Sequence, residues 1–219
     1  MIEVSASILN LEKENALQTM YDLETSKIDY FHIDVMDGKF VKNDTTNKMR
    51  EYCEYLKNIS NLPLDIHLMV EDVESYINSF SIFNPNIITF HLESAKSKKE
   101  ISKWIEMLKK QNIKVGISIK PDTNITEIQE FLPYIHMVLV MTVEPGEGGQ
   151  KLILKTMDKI KILKKYIEEN NLEVDIEADG GINENNIKEL KDMGVDIAVI
   201  GSALIKAENK KEFVYDMKH

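Results

Sequence analysis

Eight short apolar runs, each followed by a longer segment with helical spacing, constrain this chain more than any other feature. The runs fall near Val4–Leu9, Tyr30–Val35, Leu64–Met69, Ile87–His91, Lys114–Ile119, Met137–Met141, Glu173–Ala178 and Asp196–Ile200. Between them lie amphipathic stretches such as Leu11–Ser26, Lys98–Gln111 and Leu152–Asn170. In the last, Leu154, Met157, Ile160, Ile162, Leu163 and Tyr166 recur mostly at three- and four-residue spacing and read as one core-facing stripe. Strand–helix alternation implies parallel strands joined by right-handed crossovers. Eight units of about 25 residues favour a closed (β/α)8 barrel with outer helices over an open doubly wound sheet, which more often has five or six strands. No Pro/Gly/Ser-rich linker or shift in composition interrupts the pattern, so residues 1–219 are expected to form a single α/β TIM-barrel domain.

In such a barrel the active site lies at the C-terminal ends of the strands. Polar residues recur there with a period of two: Ser5 and Ser7, His32 and Asp34, Asp65 and His67, His91 and Glu93, then Asp175, Glu177 and Asp179. Side chains two apart on a strand share a face, so each group points one way and the apolar residues between them the other. An inward polar group is costly unless it is partnered or used. Asp37-Gly38 is a turn signal, which places His32 and Asp34 at the mouth of their strand.

His32, Asp34, His67 and Asp179 together have the makeup of a divalent-metal site with two imidazoles and two carboxylates. Such a set suits one Zn²⁺, Mn²⁺, Fe²⁺ or Co²⁺ ion without choosing among them. Taken singly, each could instead be a barrel-interior polar residue satisfied by its neighbours. Pro145-Gly146-Glu147-Gly148-Gly149-Gln150 follows the sixth run, and its glycines would let backbone N–H groups approach an anion closely. Gly180-Gly181 and Gly201-Ser202-Ala203 follow the seventh and eighth, where these barrels commonly hold phosphate. Met36, Met69 and Met141 are adaptable core filler or a dry, polarizable wall around the site.

A formal net charge of −10, with lysines scattered among more numerous acids, argues against a nucleic-acid groove or an anionic membrane as partner. A local nest of backbone N–H groups can still take an anionic small molecule. Cys53 is the only cysteine, which excludes a disulfide framework or thiolate cluster and leaves it a helix packing position. Met1-Ile2-Glu3-Val4 carries no basic region followed by a long apolar one, and no apolar run approaches the ~20 residues that span a bilayer, so the expected location is cytoplasmic.

Several of these stretches together resemble a known family. His32-Ile33-Asp34-Val35-Met36-Asp37-Gly38, Asp65-Ile66-His67-Leu68-Met69-Val70, Thr89-Phe90-His91-Leu92-Glu93 and Val140-Met141-Thr142-Val143-Glu144-Pro145-Gly146 are similar to segments of the ribulose-phosphate 3-epimerases. So are Gly148-Gly149-Gln150, Asp179-Gly180-Gly181-Ile182-Asn183 and Gly201-Ser202-Ala203, and the likeness runs in order from Ser5 to Ala203. The resemblance implies a TIM barrel that interconverts D-ribulose 5-phosphate and D-xylulose 5-phosphate. By position it implies His32, Asp34, His67 and Asp179 as ligands of a divalent metal, with Asp34 and Asp179 also the acid/base pair. It implies Ser7 as a substrate contact, and Gly146 to Gly149 (Glu147 included), Gly180, Gly181, Gly201 and Ser202 as phosphate-binding loops, with His67 beside the substrate. It further implies a homo-oligomer, dimer or hexamer, with a ketose phosphate as its small-molecule partner.

The chain departs from the family pattern at several positions. Ala6 stands where members usually have proline, Glu147 where they have an aromatic, and Lys120 where they have asparagine. The loop Val41-Lys42-Asn43-Asp44-Thr45-Thr46-Asn47-Lys48 lacks the usual Pro-Asn and Gly-Pro. None of these touches the metal or acid/base set; all bear on the substrate. The rival readings are an epimerase of a six-carbon ketose phosphate such as D-allulose 6-phosphate, and a non-catalytic sugar-phosphate or metal-binding barrel. A barrel decarboxylase or aldolase would resemble an Asp-x-Lys-x-x-Asp pattern on the third strand, and Asp65-Ile66-His67-Leu68-Met69 has no lysine.

Overall fold

A computed structural model describes the chain from Met1 to His219. Eight parallel strands close into a barrel in sequence order: β1 (Glu3–Ser7), β2 (Tyr30–Met36), β3 (Leu64–Met69), β4 (Ile87–His91), β5 (Lys114–Ile119), β6 (Met137–Met141), β7 (Asp175–Asp179) and β8 (Ile197–Ile200). The helices are α1 (Ala16–Thr25), α2 (Thr46–Ile59), α3 (Val73–Phe80), α4 (Lys98–Lys110), α5 (Lys155–Glu169), α6 (Ile187–Asp192), α7 (Ser202–Lys206) and α8 (Lys210–Lys218). The (β/α)8 expectation therefore holds in architecture, with one crossover built differently. Between β5 and β6 the chain makes two 3-10 segments, Ile125–Glu127 and Gln129–Tyr134, the first held by a reciprocal Asn124/Glu127 cap and the second containing Pro133.

The register separates an apolar outside from a polar inside. His32 lies beside Asp65, Asp34 beside His67, Met141 beside Asp179, and Leu139 beside Glu177. Residues one step out of phase, among them Phe31, Ile33, Ile66, Phe90, Ile117, Val140 and Ile176, join the main core between barrel and helices. The inward apolar residues form two small clusters instead. Ile87, Met137 and Ile197, with Tyr30 against them, plug the N-terminal end, and Leu139, Met141 and Val143 line the C-terminal end. Inside, Ser5, His32, Asp65, His67, Thr89, His91, Ser118 and Glu177 are all buried.

The α5 stripe needs correction. Met157, Ile160, Leu163 and Ile167 are buried, but Leu154 and Ile162 are exposed at 77% and 56%. Leu154 lies ahead of the helix, because the Ile153 N–H bonds to the Thr142 carbonyl and ties that stretch to the end of β6. At Ile162 the periodic count admitted a residue beside Leu163 on the solvent flank. Leu11–Ser26 likewise opens with a 3-10 turn at Lys13–Asn15 before α1 begins. Cys53 is a buried packing residue of α2, as expected.

Candidate active site

Four side chains converge at the mouth of the barrel. His32 Nε2 is 3.3 Å from Asp34 Oδ1 and 3.8 Å from Asp179 Oδ2. His67 Nδ1 lies 3.3 Å from Asp34 Oδ1 and 3.7 Å from Asp179 Oδ2. One ligand atom from each of the four falls within 4.8 Å of the others, a spacing that a single divalent cation could bridge. His32 Nε2 is buried without a hydrogen-bond partner, which is the state of a donor atom kept for a ligand. The donor set of two imidazoles and two carboxylates is also the right chemistry, so the residues fit a metal.

His32 and Asp34 are held from behind. His32 turns its other nitrogen, Nδ1, to Asp65 Oδ2 at 2.5 Å, and the same oxygen accepts from the Ser5 hydroxyl at 2.8 Å. The Ser7 hydroxyl donates to Asp34 Oδ2 at 2.8 Å and leaves Oδ1 facing the imidazoles. Thr45 closes the end of β2, accepting from the Met36 N–H and donating to the Asp34 carbonyl. Such outer partners fix ring orientation and raise ligand basicity. Ser7 lines the cleft, yet its proton is committed to Asp34, so only its lone pairs face a ligand.

The proton affinities of the buried groups here differ because their surroundings differ. Burial opposes charge on His32, but the Asp65 and Asp34 carboxylates outweigh it and raise the imidazole well above its usual value. Burial would also favour a neutral Asp34; His32, and then His67, reverse this and hold it far below the carboxylate range. At Asp179 burial comes first and the Asp34 charge second, and together they push the carboxyl up to about 6. Burial and the Asp65 charge raise Glu177 well above normal. Neither Glu177 oxygen finds a protein donor and Asp65 Oδ1 is unpartnered too, so no donor offsets a second negative charge beside Asp65. A bound divalent cation would supply positive charge between Asp34 and Asp179 and remove the need for a proton there.

Above this floor lies a cleft lined by Ser7, Asp34, Met36, Met69, Met141, Gly146, Glu147, Gly148, Gly149, Asp179, Gly180, Gly181, Gly201 and Ser202. The residues expected to act as acid/base pair, substrate and phosphate contacts or methionine wall all line it except His67, which lies buried beneath with His32. Met36, Met69 and Met141 are almost fully buried and form its apolar side. Gly180 has φ +121, and a Cβ there would meet Val143 Cγ2 at 2.3 Å; at Gly181 it would meet the Leu152 backbone nitrogen at 2.3 Å. No other residue fits that pair. The Gly146–Gly149 loop is braced from both sides: Gln150 Nε2 donates to the Glu144 and Glu147 carbonyls, and Asn43 Nδ2 to the Gly146 carbonyl. Glu147 is exposed, so the acid that replaces an aromatic stands at the rim.

Two expectations about the inward residues change. Asp175 is exposed at the start of β7, the N-terminal end of the barrel, away from the cleft. Ser5, Asp65 and Glu177 lie a layer below the mouth and support His32 instead of facing a ligand. Period-two spacing showed which face they share but not their depth. Asn10 also lines the cleft, pressed against Gly148, and nothing in its sequence surroundings marked it.

A closed parallel barrel with convergent imidazoles and carboxylates beneath glycine loops on β6, β7 and β8 has the build of a TIM-barrel enzyme for a small ligand. A family model described as the ribulose-phosphate 3 epimerase family matches residues 3–205. The chain belongs to that family of carbohydrate epimerases. It is 33% identical over 219 residues to ribulose-phosphate 3-epimerase of Bacillus subtilis, covering 100% of this chain and 99% of the relative. It is 37% identical to the Aquifex aeolicus protein of the same name, over 83% of this chain and 79% of that one. Among solved structures, 3-hexulose-6-phosphate synthase from Salmonella typhimurium superposes with a TM-score of 0.72 at 15% identity, over 99% of this chain and 96% of that one. KGPDC from Streptococcus mutans gives 0.71 at 13%, over 100% and 96%. These two likenesses concern the barrel fold. No helix is long and apolar enough to cross a membrane.

Proposed function

We propose that this protein interconverts D-ribulose 5-phosphate and D-xylulose 5-phosphate, with Asp34 and Asp179 as proton carriers. The observation that carries the reading is the convergence of the two carboxylates with His32 and His67 at the foot of a glycine-walled cleft. Inverting the carbon next to a ketone means taking a proton from one face and returning one to the other. Asp34 on β2 and Asp179 on β7 reach the same space from different strands, and their proton affinities are driven apart by their neighbours. One is then ready to accept a proton while the other donates. Ser7 holds Asp34 in orientation through Oδ2.

His32, Asp34, His67 and Asp179 would hold a divalent ion of the Zn²⁺, Mn²⁺, Fe²⁺ or Co²⁺ class, which when bound supplies Lewis-acid charge for the enediolate oxygens. The methionine side excludes water from the exposed carbanionic carbon, and the three glycine loops present backbone N–H groups to the phosphate. No nucleophile or organic cofactor is needed.

The test is deuterium incorporation at C3 in D2O, followed by NMR, with Mn²⁺- or Zn²⁺-supplemented protein. Ribulose 5-phosphate and allulose 6-phosphate are offered separately, since Glu147, Lys120 and the 41–43 stretch border a pocket at the rim where a longer sugar would reach. Exchange with the pentulose phosphate is expected. Exchange with the hexulose phosphate alone would reassign the substrate, and exchange with neither by metal-loaded protein would overturn the catalytic reading.

A further inference from the structure

A second chain of polar contacts runs away from the site behind His67. His67 Nε2 lies 2.9 Å from His91 Nε2, and the rings stack with centroids 5.0 Å apart. His91 Nδ1 is 3.0 Å from Glu93 Oε2. Glu93 Oε1 accepts from the Lys120 backbone N–H at 2.8 Å and from the Thr123 hydroxyl. Phe40 packs over His91 at 4.8 Å, with the Lys120 ammonium 4.1 Å above the Phe40 ring. The function proposed above makes no use of His91 or Glu93.

Two imidazole nitrogens at hydrogen-bond distance share one proton, so one ring donates and the other accepts. If His67 donates from Nε2, neutral His91 accepts there and gives its own proton, on Nδ1, to the Glu93 carboxylate. Every contact from His67 Nε2 outward is then satisfied, and His67 Nδ1 turns a lone pair towards Asp34 and Asp179, its 3.3 Å contact with Asp34 Oδ1 being one that a cation between the two atoms would bridge. The reverse direction lets His67 Nδ1 donate to Asp34 at 3.3 Å but puts a lone pair on His91 Nδ1 against a carboxylate that already accepts two donors, an acceptor–acceptor contact at 3.0 Å that no ligand in the cleft can relieve. It would also put a proton on His67 Nδ1, the atom a metal needs.

We propose that Glu93, acting through His91, is a positioning residue that fixes His67 as the Nε2–H tautomer and so keeps Nδ1 available to a divalent cation. The inference rests on the metal reading of His32, Asp34, His67 and Asp179. It makes the two histidines counterparts: Asp65 holds His32 by Nδ1 and frees Nε2, whereas Glu93 holds His67 by Nε2, through an extra ring, and frees Nδ1. Lys120 supplies only its backbone N–H to this chain, so the side chain found there in place of asparagine leaves the anchor of Glu93 intact.

The test uses the full chain with Zn²⁺ as probe. Histidine ring nitrogens of chelator-treated ¹⁵N-labelled protein report the tautomer directly, and competition with a chromophoric chelator reports Zn²⁺ affinity. His67 is expected as Nε2–H in the unaltered protein. Glu93→Ala is expected to weaken Zn²⁺ binding by about 10- to 100-fold, the usual loss for an outer-shell partner, with Glu93→Gln, which keeps an acceptor oxygen, losing less. A His67 Nδ1–H tautomer in the unaltered protein overturns the proposal even should Glu93→Ala fail to fold. So does folded Glu93→Ala with unchanged affinity. His32→Gln separates the two ideas: if it too binds Zn²⁺ normally, the metal site itself is wrong; if it alone loses Zn²⁺, only the Glu93 chain falls.

Discussion

With no metal bound, raising the pH should destabilise this protein, and Asp179 sets the size of the effect. In the metal-free protein burial and the Asp34 charge lift its carboxyl from 3.8 to about 6. A carboxyl raised in the folded state contributes fully below its unfolded value and loses that contribution as pH rises through the folded one. The gap corresponds to about 3 kcal/mol in all, of which about half is lost between about pH 5 and pH 7.5. Glu177, raised by burial and Asp65, and His32, raised by Asp65 and Asp34 against burial, change stability in the same direction over higher ranges. A cation that displaces the Asp179 proton reverses the trend, because it binds better as the site deprotonates. Urea unfolding of chelator-treated protein should therefore show stability falling from about pH 5 to pH 7.5, and Zn²⁺ should restore more of it at the upper end. Asp179→Asn should flatten the metal-free slope by about 1–2 kcal/mol over that interval. An unchanged slope in Asp179→Asn would refute the assignment of the shared charge to this pair.

The remaining predictions concern catalysis and packing. Asp34→Asn and Asp179→Asn should each lower epimerisation by at least about 10²-fold while the melting curve stays cooperative, read by coupled assay and circular dichroism; near-normal turnover in either would remove it from the acid/base pair. Gly180→Ala should cost about 1–3 kcal/mol, because its φ of +121 disfavours a side chain and the new Cβ would meet Val143 at 2.3 Å; a melting temperature equal to the parent's would show that the turn relaxes freely. On α5, Leu163→Ala should cost about 2–5 kcal/mol, whereas Ile162→Ala, one residue away but 56% exposed, should stay within about 0.5 kcal/mol, as measured by urea unfolding.

What the sequence made legible was set by period. Alternation of runs and amphipathic segments led to eight strands in a closed barrel, and period-two spacing assigned His32, Asp34, His67 and Asp179 to one interior. Depth was not legible. Ser5, Asp65 and Glu177 share parity with the cleft residues and differ only in how far along the strand they sit, which depends on the strand stagger around the barrel. For the same reason Asp175, two residues before Glu177, lies at the opposite mouth. Asn10 was missed because it sits in a turn after β1, where no periodicity operates and only contact with the Gly148 loop reveals its place. Ile162 shows the limit of periodicity on α5, because an apolar residue on a helix flank satisfies the same spacing as one facing the core.

The distribution of polarity explains why this scaffold can carry such a site. A barrel interior packed with branched apolar residues would be more stable than one holding Asp65, Glu177, Thr89 and Ser118, several of whose polar atoms have no partner. The apolar burial that holds the fold together lies almost wholly outside the strands, in the one large cluster between barrel and helices. The interior is thus released from the task of stabilising the fold, and its middle layer can be given over to orienting the layer above. Asp65 beneath His32 and His91–Glu93 behind His67 follow one plan on different strands: an anion held by hydroxyls or backbone N–H groups fixes a ring so that its other nitrogen faces the cleft. A cation in the cleft would then meet two imidazoles already turned towards it, and the cost of orienting them would fall on folding instead of on binding.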